Sequence, residues 1–106
     1  MFLELACRLK PNMELRFWRT KSGQEIDFVL LKDRVPFLIE AKSNPRSLQV
    51  PSAFRSFLER YPETSGGLVF SEFKTGAADC LGKRVEFAAL SEFPDLADRL
   101  TAVQAG

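Results

Sequence analysis

Two apolar runs joined by a charged turn occupy residues 23–43, GQEIDFVLLKDRVPFLIEAKS. Acidic residues interrupt both runs: Asp27 lies within the first, and Glu40-Ala41-Lys42 ends the second. An unpaired buried carboxylate is costly, so strands that only build a core usually exclude such groups. This stretch therefore decides both the fold and the candidate site.

The hydrophobic pattern of the stretch predicts a β-hairpin in which Asp27 and Glu40 face each other. A two-residue turn at Asp33-Arg34 sets Lys32 opposite Val35 and, counting back along the strands, Asp27 opposite Glu40. In this register the other face of the hairpin is entirely apolar. It pairs three residues of the first strand with three of the second: Ile26 with Ala41, Phe28 with Ile39 and Leu30 with Phe37. A three-residue loop would mix charged and apolar residues on both faces, so the pattern favours the register that joins the acids.

Two carboxylates on neighbouring strands, about 5 Å apart, repel each other in a half-buried setting. They must share a proton or bind a cation. Lys42 lies on the same strand face and neutralises only part of their charge. Oxygen ligands without histidine or cysteine suit Mg²⁺ or Mn²⁺. We therefore predict a divalent-metal site at Asp27 and Glu40, with Lys42 holding a water or stabilising developing negative charge.

The composition predicts one cytoplasmic domain spanning residues 1–106. The chain is 45% hydrophobic and 27% charged, with a net charge of +1, which is typical of a globular protein. It contains no histidine, which argues against zinc sites and Ser/His or Cys/His catalysis. Cys7 and Cys80 are far apart in the sequence and are interpreted as reduced thiols. No apolar run approaches the ~20 residues needed to cross a bilayer.

Periodicity along the chain predicts an α/β domain around one mixed sheet, in the order α-β-β-β-α-β-β-α. The predicted helices cover residues 2–10, 47–61 and 93–103. The predicted strands cover residues 13–20, 24–31, 35–42, 66–70 and 85–90. Residues 74–82 are predicted to form a loop with a helical turn.

The acidic hairpin resembles a known nuclease signature. Asp27, followed after the turn by Glu40-Ala41-Lys42, is similar to the D…(D/E)-x-K motif of the PD-(D/E)XK nuclease superfamily. More closely, FWRTKSGQEIDFVL (17–30) followed by IEAKS (39–43) resembles the C-terminal nuclease-like domain of unknown function attached to many prokaryotic AAA-type ATPases. The resemblance covers roughly residues 1–90. It implies a restriction-endonuclease-like α-β-β-β-α-β core, with a central mixed sheet flanked by helices.

The resemblance also implies roles for individual residues. Asp27 and Glu40 would be metal ligands, and the Ala41 carbonyl would be a third. Lys42 would be the catalytic lysine, and Glu4 would be the acid of the first helix that helps bind the metal or orient Lys42. The implied function is Mg²⁺-dependent or Mn²⁺-dependent hydrolysis of phosphodiesters in DNA. Because the chain has no GxxxxGK[ST] motif, the P-loop ATPase region would belong to a longer chain of which this domain is the C-terminal part.

Several alternatives remain open from the sequence. A Glu-x-Lys pattern alone is often a surface ion pair, and Glu4 could equally form an ordinary helical ion pair. Arg16 and Arg19 flank Trp18 and either contact nucleic acid or remain solvated while the aromatic residues pack. The domain could also be a catalytically inactive module that binds nucleic acid or protein beside the ATPase. It could also form a homodimer through an exposed sheet or helix face.

Overall fold

The structure, a computed structural model, describes residues 9–41, 50–71 and 76–89, and these residues are mostly β-strand. They form a six-stranded mixed sheet in the order β1-β2-β3-β4-β6-β5. Strands β3 and β6 run parallel to β4, and all other neighbours are antiparallel. The elements are β1 (Met13–Arg19), β2 (Glu25–Lys32), β3 (Val35–Ala41), α1 (Ser52–Arg60), β4 (Gly66–Ser71), β5 (Gly76–Cys80) and β6 (Lys83–Ala89).

The predicted fold class is wrong. Instead of a restriction-endonuclease-like α/β core flanked by helices, the described residues form a six-stranded sheet with one helix of nine residues. The predicted helix at 93–103 and nearly all of the one at 2–10 lie outside the described residues. The segment predicted as loop and helical turn contains β5. Its sequence, GAADC, has low β-propensity, and it becomes a strand because it pairs with β6 along a sheet edge.

Two tight turns connect the strands of the β2–β3 and β5–β6 hairpins. Asp33 and Arg34 have φ of 50° and 70°, and Leu81 and Gly82 have φ of 52° and 81°. Positive φ at both central residues is the signature of the type I′ turn, whose twist matches that of paired strands. Lys32 pairs with Val35, so the predicted two-residue turn and its register are confirmed.

Helix α1 begins after Pro51 and links the parallel strands β3 and β4. Proline is favoured before the first helical turn because the amides there need no intrahelical partner. The helix ends at Arg60, and the amide of the C-cap residue Tyr61 donates to the Phe57 carbonyl at 2.8 Å. The hydroxyl of the fully buried Thr64 then donates to the Tyr61 carbonyl at 2.7 Å. In the described part of the chain, no helix has the length and apolar character required to cross a bilayer.

The sheet buries apolar side chains on both faces. We call the side covered by α1 the helix face and the other side the reverse face. The core of the helix face consists of Ile26, Val29, Leu38, Ala53, Phe54, Phe57, Leu58, Val69, Cys80, Val85 and Phe87. The core of the reverse face consists of Leu30, Ile39, Leu68, Phe70 and Ala88. Burial on both faces explains why β2, β3 and β4 are nearly continuous apolar runs.

Candidate functional site

The two acids meet at the open end of the β2–β3 hairpin, away from its turn. The Asp27 amide donates to Glu40 Oε1 at 3.1 Å. The Ala41 amide in turn donates to Asp27 Oδ2, also at 3.1 Å. Each carboxylate therefore accepts a backbone hydrogen bond from the neighbouring strand, and the two side chains are held together.

A β-bulge in β2 creates this geometry. Arg16 pairs with Val29 and Trp18 with Ile26, so Phe17 alone faces two residues of β2, Asp27 and Phe28. In a regular ladder the amides of a strand point alternately to its two neighbours. The bulge breaks this alternation and turns the Asp27 amide from β1 towards Glu40 of β3. Bulges commonly redirect side chains beside functional sites.

The bulge also corrects one detail of the predicted hairpin. Phe28, Leu30, Phe37 and Ile39 share the reverse face as expected. Ile26, predicted on that face, instead lies in the core of the helix face and is 1% exposed. The extra residue in β2 reverses the side on which every preceding side chain falls.

The burial of the two acids differs. Glu40 is only 7% exposed, and it follows Leu38 on the helix face at the end of β3. Asp27 is half-buried, and Ala41 beside it is exposed. Within the described residues, Asp27 Oδ1 accepts no hydrogen bond. The pair thus combines a nearly buried carboxylate with one that solvent and ligands can reach.

The structure places three of the five predicted site residues. Asp27, Glu40 and Ala41 are together at the end of the hairpin, joined by the two hydrogen bonds. Glu4 and Lys42 lie outside the described residues, so their roles remain predictions. No cluster of three or more His, Cys, Asp or Glu side chains suited to a metal ion occurs within the described ranges. The described site is therefore a carboxylate pair.

The aromatic and basic residues of β1 have separate roles. Trp18 packs edge-to-face on Phe57 of α1, with 5.3 Å between ring centroids. Phe17, expected to pack, is 72% exposed, although its ring lies 6.0 Å from that of Phe28. Arg16 and Arg19 are exposed and form ion pairs with acids of β1 and β2. Sequence reasoning missed the exposure of Phe17, which lies opposite the bulge on β1, the first strand in the order of the described sheet.

Comparison with known proteins identifies the family. The model of a family described as a domain of unknown function (DUF4143) matches residues 1–88. The match covers most of the chain, so the protein belongs to this family. A search of curated proteins found no match.

The chemistry available to the carboxylate pair follows from its oxygen atoms. Carboxylates are hard ligands, and together with backbone carbonyls and water they suit Mg²⁺ or Mn²⁺. The two amide hydrogen bonds position the carboxylates before any ligand arrives, which lowers the cost of ordering them on binding. The pair thus presents carboxylate oxygens whose directions are fixed by backbone hydrogen bonds at the end of the β2–β3 hairpin.

Proposed function

We propose that the protein is a metal-dependent, nuclease-like domain whose carboxylate pair, Asp27 and Glu40, holds Mg²⁺ or Mn²⁺ for hydrolysis of phosphodiesters in DNA. One observation supports this proposal best. Each carboxylate accepts a hydrogen bond of 3.1 Å from a backbone amide of the strand that carries the other acid. The proposal rests on the site and on the motif, not on the fold class. It includes the prokaryotic cytoplasm as the location and a P-loop ATPase region as a partner.

The donor set fits a hard divalent cation. Asp27 supplies an accessible carboxylate and Glu40 a nearly buried one. The predicted third ligand is the carbonyl of Ala41, whose exposed position at the end of β3 leaves room for solvent. When bound, such an ion would lower the pKa of a coordinated water and polarise a phosphoryl oxygen.

The protein's own groups would orient the reacting atoms. The Ala41 and Asp27 amides fix the directions of the two carboxylates, so that the ligand oxygens need little rearrangement. Lys42 follows the site directly in the sequence. We assign it the role of a cation that stabilises negative charge on the phosphate or holds the attacking water.

Titration calorimetry with Mg²⁺ and Mn²⁺ tests the metal site. Asp27→Asn and Glu40→Gln remove one charge each but keep an oxygen that can accept the same amide hydrogen bond. We expect each variant to weaken binding at least about tenfold, because a neutral amide is a much poorer ligand for a hard cation. Glu63→Gln, which removes an exposed carboxylate next to Thr64, is the matched control and should bind as the wild type does.

Nuclease assays with single-stranded and double-stranded DNA then separate binding from catalysis. Metal-dependent cleavage that is lost in Asp27→Asn, Glu40→Gln and Lys42→Ala supports the full proposal. Absence of metal binding at millimolar concentrations by a folded protein refutes it.

A second candidate function is a catalytically inactive module that binds nucleic acid or protein beside an ATPase. The same two hydrogen bonds favour it, because each carboxylate already has a backbone partner without any cation. In this case the two acids have a structural role and stabilise the pairing of β2 with β3 at the end of the hairpin. Asp27→Ala or Glu40→Ala, which removes a hydrogen-bonding carboxylate, would then destabilise the fold. Metal ions would leave the melting temperature of the wild type unchanged.

A further inference from the structure

The ion pair between Arg19 and Glu25 differs from the other ion pairs of the described residues. Four arginines pair with glutamates within the described ranges, and three of these pairs join residues of a single strand or helix: Glu14–Arg16, Arg55–Glu59 and Arg84–Glu86. Arg19 Nε instead contacts Glu25 Oε1 across two strands, at 3.2 Å. The Arg19 side chain, which is 76% exposed, is also the most exposed of the four arginines. An ion pair this open to solvent contributes little to stability, which indicates a role other than holding the fold.

This ion pair lies at the same end of the sheet as the two acids of the candidate site. Arg19 is the last residue of β1, Glu25 is the first residue of β2, and the two are paired in the ladder. Asp27 follows Glu25 by two residues, which is about 7 Å along the strand. Lys21, in the turn that joins the two strands, is exposed as well. Two basic side chains therefore border the end of the sheet at which the acids meet.

Arg19 and Glu25 lie on the reverse face, as Ala41 does. Trp18 packs on α1, so the next residue, Arg19, falls on the opposite side of the sheet, and Glu25 directly across from it shares that side. Ala41 follows Ile39 of the reverse-face core by two residues and falls on the same side. Two strand spacings, or about 10 Å, separate β1 from β3. Arg19 is thus too far from Ala41 to share a metal ion with it, but near enough to contact a phosphate group beside that ion.

A phosphodiester that approaches this end of the sheet needs positive charge in addition to a metal ion. A divalent cation carries two positive charges, which balance the formal charges of Asp27 and Glu40. The exposed carboxylate of Glu25 adds a negative charge that repels an anionic substrate. Arg19 offsets this charge, and its planar guanidinium group has a fork of N–H donors that matches two phosphate oxygens.

We propose that Arg19 binds a phosphate group of DNA next to the one held at the carboxylate pair, and that Glu25 competes with this phosphate for the guanidinium group. The inference rests on the proposed function, because it takes the substrate of that site to be DNA. In the free protein, Glu25 holds Arg19 at the end of the sheet. When DNA binds, the phosphate takes over the contact with Arg19 and Glu25 turns into solvent, which its 56% exposed side chain permits. Arg19 is then a substrate-binding residue, and Glu25 tunes the affinity through it.

The salt dependence of DNA binding tests the phosphate contact. Fluorescence anisotropy follows labelled single-stranded and double-stranded DNA with Mg²⁺ between about 50 and 200 mM NaCl. Every protein carries Lys42→Ala, which removes the proposed catalytic lysine and so preserves the DNA. Arg19→Gln should weaken binding at least about fivefold at the lowest salt concentration. It should also lower the slope of log Kd against log salt by about 0.7–0.9, the value for one lost phosphate contact.

Arg84→Gln is the matched control for this measurement. Arg84 forms an ion pair of the same length, 3.2 Å, and its side chain is 71% exposed. It lies at the start of β6, which runs parallel to β4 as β3 does, so it is at the opposite end of the sheet from the acids. Arg84→Gln removes the same charge and should leave the slope unchanged.

A double-mutant cycle tests the competition by Glu25. Glu25→Gln should tighten DNA binding about two- to fivefold, because the phosphate no longer displaces a carboxylate from Arg19. In an Arg19→Gln background, the same substitution should tighten binding by less than half as much. An equal gain in both backgrounds would show that Glu25 acts only by general repulsion and would overturn the competition. Unchanged affinity and slope in Arg19→Gln would overturn the phosphate contact itself.

Titration calorimetry with Mg²⁺ separates a failure of this inference from a failure of the proposed function. Arg19→Gln and Glu25→Gln should bind the metal within about twofold of the wild type, because neither residue is a ligand. A wild type that binds both metal and DNA, together with an Arg19→Gln variant that binds DNA equally well, overturns only the role of Arg19. A wild type that binds no metal, or no DNA, overturns the proposed function and this inference together.

Discussion

Gly67 of strand β4 lies against the Phe54 ring of helix α1, and replacing it with alanine should reveal how tightly the helix and the sheet pack. A Cβ atom added at Gly67 would lie 2.8 Å from Cε2 and 3.2 Å from Cδ2 of Phe54. It would also lie 3.3 Å from the Leu38 carbonyl oxygen. Carbon atoms in good contact are about 3.5–4.0 Å apart, so the added methyl group overlaps the ring by up to ~1 Å.

The cost of this overlap can be bounded. Phe54 is fully buried in the core of the helix face, so its ring can move away only against neighbouring core side chains. Overpacking of this kind costs about 1–3 kcal/mol. Replacing glycine recovers up to about 1 kcal/mol by restricting the unfolded chain. From the middle of both ranges, we expect Gly67→Ala to lower the free energy of unfolding by about 1.3 kcal/mol. For a domain of this size, each kcal/mol corresponds to a fall in Tm of about 4–8 °C.

A double-mutant cycle measured by urea denaturation separates the clash from other effects. Leucine at position 54 has no atom equivalent to Cε2, so Phe54→Leu should relieve most of the overlap at the cost of some lost packing. In that background, Gly67→Ala should change the free energy of unfolding by less than about 0.5 kcal/mol. The expected clash would be refuted if the two substitutions changed the free energy of unfolding additively, or if Gly67→Ala alone left it unchanged.

Two further predictions concern a turn and a thiol. Arg34→Gly should raise the free energy of unfolding by about 0.5–1 kcal/mol in urea denaturation, because Arg34 has φ of 70°, a region that costs a non-glycine residue about 1–2 kcal/mol. Arg34→Ala should gain nothing, and a loss of stability in Arg34→Gly would contradict the assigned turn. Burial raises the pKa of the Cys80 thiol, so less thiolate is present at pH 8 than for an ordinary cysteine. In a Cys7→Ser background, alkylation of Cys80 by iodoacetamide should be at least about tenfold slower in the folded protein than in urea and should accelerate as the pH rises; equal rates would show that the thiol is accessible.

The register of the β2–β3 hairpin could be predicted from sequence because the position of the polar turn and the alternation of apolar residues indicate the same pairing. Asp33 and Arg34 are the polar break between two apolar runs, and only an even loop keeps Phe28 and Ile39 together on one face. The same pairing register predicts that Asp27 and Glu40 lie close together.

The bulge at Asp27 could not be predicted, because both faces of the sheet are buried. A polar face would have marked the reversal of alternation at Ile26, but an apolar residue fits either face. The hydrogen bonds that join the acids depend on this bulge. The backbone amides that donate to the two carboxylates therefore could not be predicted from the sequence either.

Strand β5 was missed for a different reason. Gly76, Ala77 and Ala78 have weak β-propensity, and the strand is defined by its ladder with β6 and by the turn at Leu81-Gly82. Pairing of this kind is a tertiary effect that local composition does not encode. The predicted α/β core was wrong because periodicity and the resemblance both assigned several helices and fewer strands, whereas the described residues contain six strands, including β5 in the segment predicted as loop and helical turn.

The bulge also limits how the length of this segment can change during evolution. Deletion of one residue between Gly23 and Asp33 would restore regular pairing with β1, but it would also remove the turn of the backbone that brings the Asp27 amide to Glu40. Insertion of one residue between Ile26 and Val29 would move Ile26 out of the helix-face core. Packing and the acid pair thus impose the same spacing independently, and relatives that keep both must keep this interval free of insertions and deletions.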